Sequence, residues 1–194
     1  KQAMIVTDKG VTGAGLIDMV RDAFGNRIAV GAVEDDVPPD SDLLVVKRLA
    51  SVYRDAGCDS VIAVGGGSVM DTAKALNILV SENSDDLMKF SGAGILKRAL
   101  KPLVAVPTTA GTGSEVTQVA VIKDPSRHRK MLFVSSFLMP DIAVLDPRMT
   151  MTLPAFITAA TGMDALTHAV EAYTCLAKNP VSDAHALAAI RLVS

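Results

Sequence analysis

Residues 59 to 80, DSVIAVGGGSVMDTAKALNILV, decide the fold of this chain. The run from Asp59 to Val64 is short and mostly apolar, which predicts a buried strand, and the apolar spacing from Val69 to Leu79 predicts a helix. Gly65 to Ser68 join the two. Glycine lets a backbone approach a ligand closely, and the N–H groups and dipole of a helix N-terminus favour an anion. The stretch therefore predicts a diphosphate-binding turn; a tight turn that merely needs small residues is the alternative.

The same alternation of strand and helix extends to both sides of this stretch. Further strands are predicted at Ala3 to Thr7, Arg27 to Val33 and Leu103 to Val106, and helices after Leu16 and from Leu44 to Arg54. Strand–helix–strand units at this spacing predict an α/β fold. We expect a Rossmann-like nucleotide-binding domain with a parallel sheet and helices on both faces.

A domain boundary is predicted near residue 150. Residues 1–150 form the α/β dinucleotide-binding domain in this division, and residues 151–194 have a helical pattern to the end and begin an all-α domain. The chain has no initiator Met, and it stops inside the helical pattern. It is therefore expected to be a fragment of a longer protein.

Turn and cap signals refine the element boundaries. The loop from Pro38 to Ser41 is expected to cap the helix that follows it, and Thr150 or Thr152 is expected to cap the first helix of the second domain. Short strands are predicted at Val119 to Ile122 and Met131 to Val134, on either side of a charged turn.

Composition excludes several classes of protein. The chain has 194 residues, 49% of them hydrophobic, and 19 basic against 21 acidic side chains give a net charge of −2. This balance argues against nucleic-acid binding and against binding to a membrane surface, since both need a basic face. No apolar run approaches the roughly 20 residues of a membrane span. Cys58 and Cys175 are isolated, which predicts no disulfide framework and a cytoplasmic location.

Two further segments are rich in glycine or hydroxyl side chains. Gly10 to Gly15 follows a strand and opens a helix, but its spacing is G-x-x-G-x-G rather than the dinucleotide pattern G-x-G-x-x-G, so a flexible turn remains an equal alternative. Pro107 to Thr117 places threonines, glycines and a serine after another strand. Such residues supply hydrogen bonds without bulk, although a purely structural loop can share this composition.

Asp164 and His168 are the candidate metal ligands of the helical segment. They are four residues apart and therefore lie one turn apart on the same helix face. A carboxylate and an imidazole so placed could bind one divalent ion, or they could form an ordinary hydrogen-bonded surface pair. The packed stripe of this helix is expected to consist of Met163, Leu166, Val170 and Tyr173.

Taken together, these motifs resemble the iron-containing (group III) alcohol dehydrogenases over essentially the whole chain. The resemblance rests on residues 65–74, 107–117 and 162–173, which occur in the order and at the spacing of that family. It implies an α/β nucleotide-binding domain followed by an all-α metal-binding domain. It also implies a homo-oligomer, a dimer in the family.

The resemblance assigns one set of residues to the cofactor. Asp8 lies where NAD-preferring members hold the adenosine ribose; a carboxylate there accepts a hydrogen bond from a 2′-hydroxyl and repels a 2′-phosphate, so NAD is favoured over NADP. Asp40 lies where the family often has Asn, Lys130 matches a lysine near the nicotinamide ribose, and Met149 stands where a Leu usually packs. The remaining positions are Gly66, Gly67, Ser68, Asp71, Thr108, Thr109, Thr112 and Thr117.

The resemblance also implies a metal site and a reaction. Asp164 and His168 match the first two metal ligands, and the two histidines that complete the site in the family come later in the chain. Fe2+ is expected, although Zn2+ accepts the same ligands. The metal polarises the oxygen of an alcohol while hydride passes between the substrate, an alcohol, aldehyde or ketone, and NAD. No catalytic residue beyond the metal site is implied, and the chain as given is expected to be inactive by itself.

Three alternatives remain open. A glycerol dehydrogenase or a dehydroquinate synthase-like enzyme would share the fold and the glycine turn. A nucleotide-binding module without activity is the second alternative for the chain as given. A phosphotransferase using residues 65–68 is disfavoured, because Lys74 lies well inside the helix and the Gly-Lys-Ser/Thr of a P-loop is missing.

Overall fold

Parallel strands form the centre of the protein, whose computed structural model describes residues 2–194. In chain order the strands and α-helices of this part are β1 (Gln2–Val6), α1 (Lys9–Gly13), α2 (Leu16–Phe24), β2 (Ala29–Glu34), α3 (Leu43–Asp55), β3 (Ser60–Gly65), α4 (Gly67–Ser81), β4 (Gly92–Ala93), β5 (Leu103–Pro107), β6 (Val119–Asp124), β7 (Arg129–Val134), β8 (Ile142–Ala143), α5 (Ala155–Thr174) and α6 (Pro180–Val193). The predicted α/β fold is confirmed.

The order of the strands creates a switch point between β1 and β3. Within residues 2–194 the main sheet has the order β2-β1-β3-β5-β8, and all neighbouring strands are parallel. The chain passes from β1 to β2 on one side and then crosses to β3 on the other. Open α/β sheets bind their ligands outside the carboxyl ends of the strands at such a reversal.

Both faces of this sheet are buried. Alternate side chains of β1 point to opposite faces, so Met4 and Val6 join one apolar cluster and Ala3 and Ile5 join the other. Helix α4 lies between the main sheet and a smaller one formed by β4, β7 and β6, and nearly all of its middle residues are buried. The hairpin of β6 and β7 occupies the two short strands predicted from the sequence.

Two predicted helix caps are wrong. Asp42, and not the loop from Pro38 to Ser41, caps α3, because its carboxylate accepts hydrogen bonds from the Leu44 and Val45 amides at 2.9 and 3.1 Å. Helix α5 begins after Pro154, and no side chain in residues 2–194 caps it. Thr150 instead donates to the Pro147 carbonyl within a short 3-10 helix.

Helices α5 and α6 pack mainly on each other within the described residues. The predicted packed stripe of α5 is wrong in this part of the chain: Met163 is 61% exposed, Val170 and Tyr173 are also exposed, and Ala169 is the buried residue of the helix. Among residues 2–194 no helix has both the length and the apolar character that a membrane span requires.

Candidate functional site

A cleft of about 820 Å³ opens at the switch point of the sheet. The segments that follow β1, β2, β3 and β5 form its sides, and residues from the start of the helical region close it: the lining comes from ranges 8–16, 35–39, 66–69, 108–112 and 149–161. This volume lies within the range of small-molecule and cofactor sites. The glycine cluster at 10–15 also borders the cleft. It forms the end of the short helix α1 and then Gly15, whose φ of 73° is in the left-handed region.

The glycine turn after β3 is tightly packed on one side. A Cβ on Gly65 would lie 2.6 Å from Val69 Cγ2, and a Cβ on Gly67 would lie 2.8 Å from Thr112 Cγ2. Gly66 is the N-cap of α4 and has no side chain that could accept a hydrogen bond from the N–H groups of the first turn. The N-terminus of α4 therefore meets the cleft with its backbone N–H groups, an arrangement suited to an anion such as a diphosphate.

Asp8 follows β1 at the edge of the cleft. Its Oδ1 accepts a hydrogen bond from the Val11 amide at 3.0 Å and caps α1. The neighbouring Thr7 is buried, and its hydroxyl donates to the Val64 carbonyl at 2.7 Å, which ties the end of β1 to the end of β3. The ends of β1 and β3, on either side of the switch point, are thus held together. The hydrogen bond to Val11 fixes the carboxylate of Asp8 at the cleft.

Asp40 and Lys130 are brought together beside Ser68. The Asp40 amide donates to Ser68 Oγ at 3.3 Å, and Lys130 Nζ lies 2.8 Å from Asp40 Oδ1. Hydrogen bonding to Lys130, and its charge, hold the pKa of Asp40 below its usual value. Both side chains are exposed, and neither lines the cleft.

Lys74 is completely buried, which the sequence did not predict. Its position inside the helix served above only to argue against a P-loop. Its Nζ donates to Ser114 Oγ at 3.1 Å, to the Val119 carbonyl at 2.8 Å, and to the carbonyl and hydroxyl of Thr117 at 2.9 and 3.0 Å. Burial lowers the pKa of Lys74 to about 8 against the opposing charges of Asp71 and Glu115. Lys74 thereby ties α4 to the segment that follows β5.

Asp71 belongs to the same internal network. Its two carboxylate oxygens accept hydrogen bonds from Ser114 Oγ at 2.8 Å and from the Val121 amide at 3.0 Å. Burial raises the pKa of Asp71 above its usual value. Asp71 and Thr117, both predicted to contact the cofactor, therefore face this network and do not line the cleft.

The loop after β5 touches the helical segment directly. A Cβ on Gly111 would lie 2.6 Å from the carbonyl oxygen of Thr161 in α5. Met149, which is buried in one of the two core clusters, lines the same side of the cleft. The loop and α5 therefore approach each other so closely at Gly111 that no side chain fits between them.

The structure brings most of the predicted cofactor residues together. Those that line the cleft are Asp8, Gly66, Gly67, Ser68, Thr108, Thr109, Thr112 and Met149. Asp35 and Asp36 line it as well and were missed, because nothing in the loop after β2 follows a glycine or hydroxyl pattern. The signal that could have found them is their position directly after the second strand, where doubly wound folds place an acidic residue.

Asp164 and His168 lie close together on α5. Asp164 Oδ1 is 3.6 Å from His168 Nε2, and both side chains are about half exposed. Two ligands at about 2.1 Å from one tetrahedral ion are about 3.4 Å apart, so the pair fits two positions of a metal site. Among the described residues no third His, Cys, Asp or Glu completes such a group. Thr161, which lines the cleft, is on the same helix face, since it lies three residues before Asp164.

Two family models match the chain. The model described as iron-containing alcohol dehydrogenase matches residues 1–147, and the model described as the C-terminal part of the Fe-containing alcohol dehydrogenase family matches residues 158–194.

Individual relatives agree with these matches. Alcohol dehydrogenase 4 of Schizosaccharomyces pombe is 39% identical over 100% of this chain and 46% of its own length. The NAD-dependent methanol dehydrogenase of Bacillus methanolicus is 38% identical over 100% of this chain and 51% of its own length. The crystal structure of a 1,3-propanediol oxidoreductase has a TM-score of 0.95 at 42% identity and covers 100% of this chain and 50% of that one. The chain spans about half the length of the curated relatives it matches.

Proposed function

We propose that the full-length protein transfers a hydride between an alcohol and NAD. The premise is that this chain belongs to the iron-containing alcohol dehydrogenase family. The observation that carries the proposal is the cleft at the switch point, where the glycine turn of α4 and the carboxylate of Asp8 face the same space. We further propose that residues 1–150 form the cofactor domain and that residues 151–194 begin the metal domain; the ranges matched by the two family models support this division.

The residues of the cleft bind and orient the cofactor in this proposal. The diphosphate lies at the N-terminus of α4, on Gly66 to Ser68, and Asp8 accepts a hydrogen bond from the adenosine ribose. Thr108, Thr109 and Thr112 supply hydrogen bonds on the facing loop. Met149, which is buried and lines the same cleft, packs on the cofactor.

The other four predicted cofactor residues have different roles in this proposal. Asp71 and Thr117 act through Lys74 by fixing the loop that carries the threonines. Asp40 and Lys130 lie next to Ser68 and would reach the cofactor only when their ion pair opens.

Asp164 and His168 hold the metal in the proposal. An iron ion bound there would polarise the alcohol oxygen and lower its pKa. Helix α5 contributes to the wall of the cleft through Ile157 and Thr161, so the pair lies on an element that borders the proposed cofactor site. The chain's own part is to align the two reactants.

The proposed substrate is a small alcohol or the corresponding aldehyde, the proposed assembly a homodimer, and the proposed location the cytoplasm. The unpaired cysteines Cys58 and Cys175 support a reducing compartment. The direct test of the function is NADH formation by the iron-loaded full-length protein with a panel of primary alcohols and diols. A protein that binds NAD and iron but oxidises none of them would contradict the proposal.

Asp8→Asn is expected to weaken the preference for NAD. Asn keeps the cap on α1 but removes the charge that repels a 2′-phosphate, so the Kd for NADP should fall about tenfold while that for NAD changes little. Calorimetric titration of both cofactors measures the ratio. Asp18→Asn, on the outer face of α2, is the control for a change in net charge. An unchanged ratio in Asp8→Asn would remove this carboxylate from cofactor selection.

Gly67→Val is expected to raise the Kd for NAD about tenfold or more without unfolding the protein. The new side chain would collide with Thr112 and fill space beside the N-terminus of α4. Gly13→Val is a matched control, because a Cβ on Gly13 meets nothing within 4 Å among the described residues. Unchanged NAD affinity in calorimetry would refute the diphosphate assignment, and a collapse of thermal stability would show that Gly67 serves the fold alone.

A further inference from the structure

Arg48 of α3 binds two carboxylates at the end of β2. Its Nη1 lies 2.5 Å from Glu34 Oε2, and its Nη2 pairs with Asp36 Oδ1. The guanidinium is planar and presents its donors in a rigid fork, so it holds both carboxylates in fixed positions. The side chains of Arg48 and Asp36 remain 41% and 47% exposed, so both can be reached from solvent.

Asp36 leaves the sheet beside Asp8. Val6 and Glu34 are paired in the register of β1 and β2, and each of the two aspartates comes two residues after its member of that pair. Beyond the two strands, the Thr7 amide donates to the Glu34 carbonyl at 2.8 Å and the Val37 amide donates to the Thr7 carbonyl at 3.3 Å, so the two segments stay in contact. Asp8, Asp35 and Asp36 all line the cleft. In doubly wound folds the ribose hydroxyls are bound by an acidic residue at this place, after the second strand.

We propose that Asp36 is a second determinant of NAD selectivity, which acts by occupying Arg48 so that its guanidinium cannot bind a 2′-phosphate. The inference rests on the proposed binding of NAD in the cleft. Dinucleotide-binding folds that accept NADP place an arginine near the 2′-phosphate. This chain already has an arginine beside that place, but both arms of its guanidinium are bound to carboxylates.

The geometry separates Asp36 from its neighbour Asp35. Removing either residue takes one negative charge from the lining of the cleft. Only the loss of Asp36 also frees Nη2 of Arg48, and Glu34 would still hold Nη1 and keep the guanidinium in place. The freed Nη2 would then point to the space that the Asp36 carboxylate had filled, where a phosphate oxygen could accept a charge-assisted hydrogen bond from it.

The test compares four variants of the full-length protein: Asp36→Ala, Asp35→Ala, Arg48→Met and the double variant Asp36→Ala/Arg48→Met. The Kd values for NAD and for NADP are measured by calorimetry, and circular dichroism checks that each variant is folded. We expect Asp36→Ala to tighten NADP binding about tenfold or more and Asp35→Ala to tighten it much less. The double variant should lose the excess, while Arg48→Met alone should leave NADP binding as weak as in the wild type.

Equal gains in Asp36→Ala and Asp35→Ala would overturn the inference, because charge alone would then account for both. A double variant that kept the full gain would overturn it too, since Arg48 would not be the binding group. Failure of the proposed function is distinguishable: it would appear as a wild-type protein that binds neither cofactor. A wild type that binds NAD, with Asp36→Ala unchanged toward NADP, would remove only the role of Asp36.

Discussion

His168→Ala in the full-length protein is expected to lose its iron and to lower kcat by about three orders of magnitude, while the Kd for NAD stays within about twofold. The magnitude follows because a metal ion supplies several kcal/mol of transition-state stabilisation. The Kd for NAD should change little because the two sites are separate. His168 and Asp164 are together on α5, whereas the glycine turn and Asp8 lie on the loops of the α/β part. Elemental analysis, steady-state kinetics and calorimetry measure the three quantities, and Asp164→Ala should behave in the same way.

His185→Ala is the matched control for this experiment, because His185 is an exposed histidine of α6. It should keep both iron and rate. A His168→Ala protein that retained its iron and its turnover would contradict the metal assignment. Asp164 and His168 would then be the ordinary hydrogen-bonded helix pair that their spacing also allows.

Lys74→Met is expected to lower the free energy of unfolding by about 3 kcal/mol at pH 7. Methionine fills much of the same space but donates no hydrogen bonds, so the buried carbonyls of Thr117 and Val119 would lose a partner and Asp71 would lose a neighbouring charge. Urea unfolding of the full-length protein measures the change. Lys123→Met, at an exposed position of β6, is the matched control and should cost less than about 0.5 kcal/mol.

The cost of Lys74→Met should also grow with pH. The pKa of Lys74 lies at about 8 in the folded protein and at 10.5 in an ordinary environment. Between these values the unfolded chain binds the proton and the folded chain does not, so rising pH favours the folded wild type. The variant lacks this group, and the difference in unfolding free energy should therefore widen by about 3 kcal/mol between pH 8 and pH 10.5. A difference that stays flat across this range would mean that Lys74 is uncharged or solvated throughout.

The sheet could be predicted because its signals are local. Asp59 to Val64, the glycines and the helix after them are consecutive in sequence, and the structure places β3 and α4 there with shifts of one or two residues. The caps were harder to predict. Ser41 and Asp42 are adjacent cap formers, and only the structure shows that the Ser41 hydroxyl is buried, without a partner among the described residues, while Asp42 caps the helix.

The site could be predicted where its residues follow strand ends, and it could not where contacts join distant segments. Gly66 to Ser68, Thr108 and Asp8 come directly after strands and line one cleft. The partners of Lys74 are 40 to 45 residues away, at Ser114, Thr117 and Val119. No local pattern indicates that a lysine inside an apolar helix turns toward them. The pairing of Arg48 with Asp36 is hidden for the same reason.

Gly111 lies against the backbone of Thr161 with no room for a side chain. Every base change in its codon that alters the amino acid adds a Cβ, which would lie 2.6 Å from a carbonyl oxygen that cannot rotate away. A flexible side chain elsewhere could absorb such a change, but here the loop and α5 would have to move apart. Sequence drift at Gly111 is therefore blocked by the packing of two chain segments, whatever the cleft binds, and only a codon change that keeps glycine is neutral.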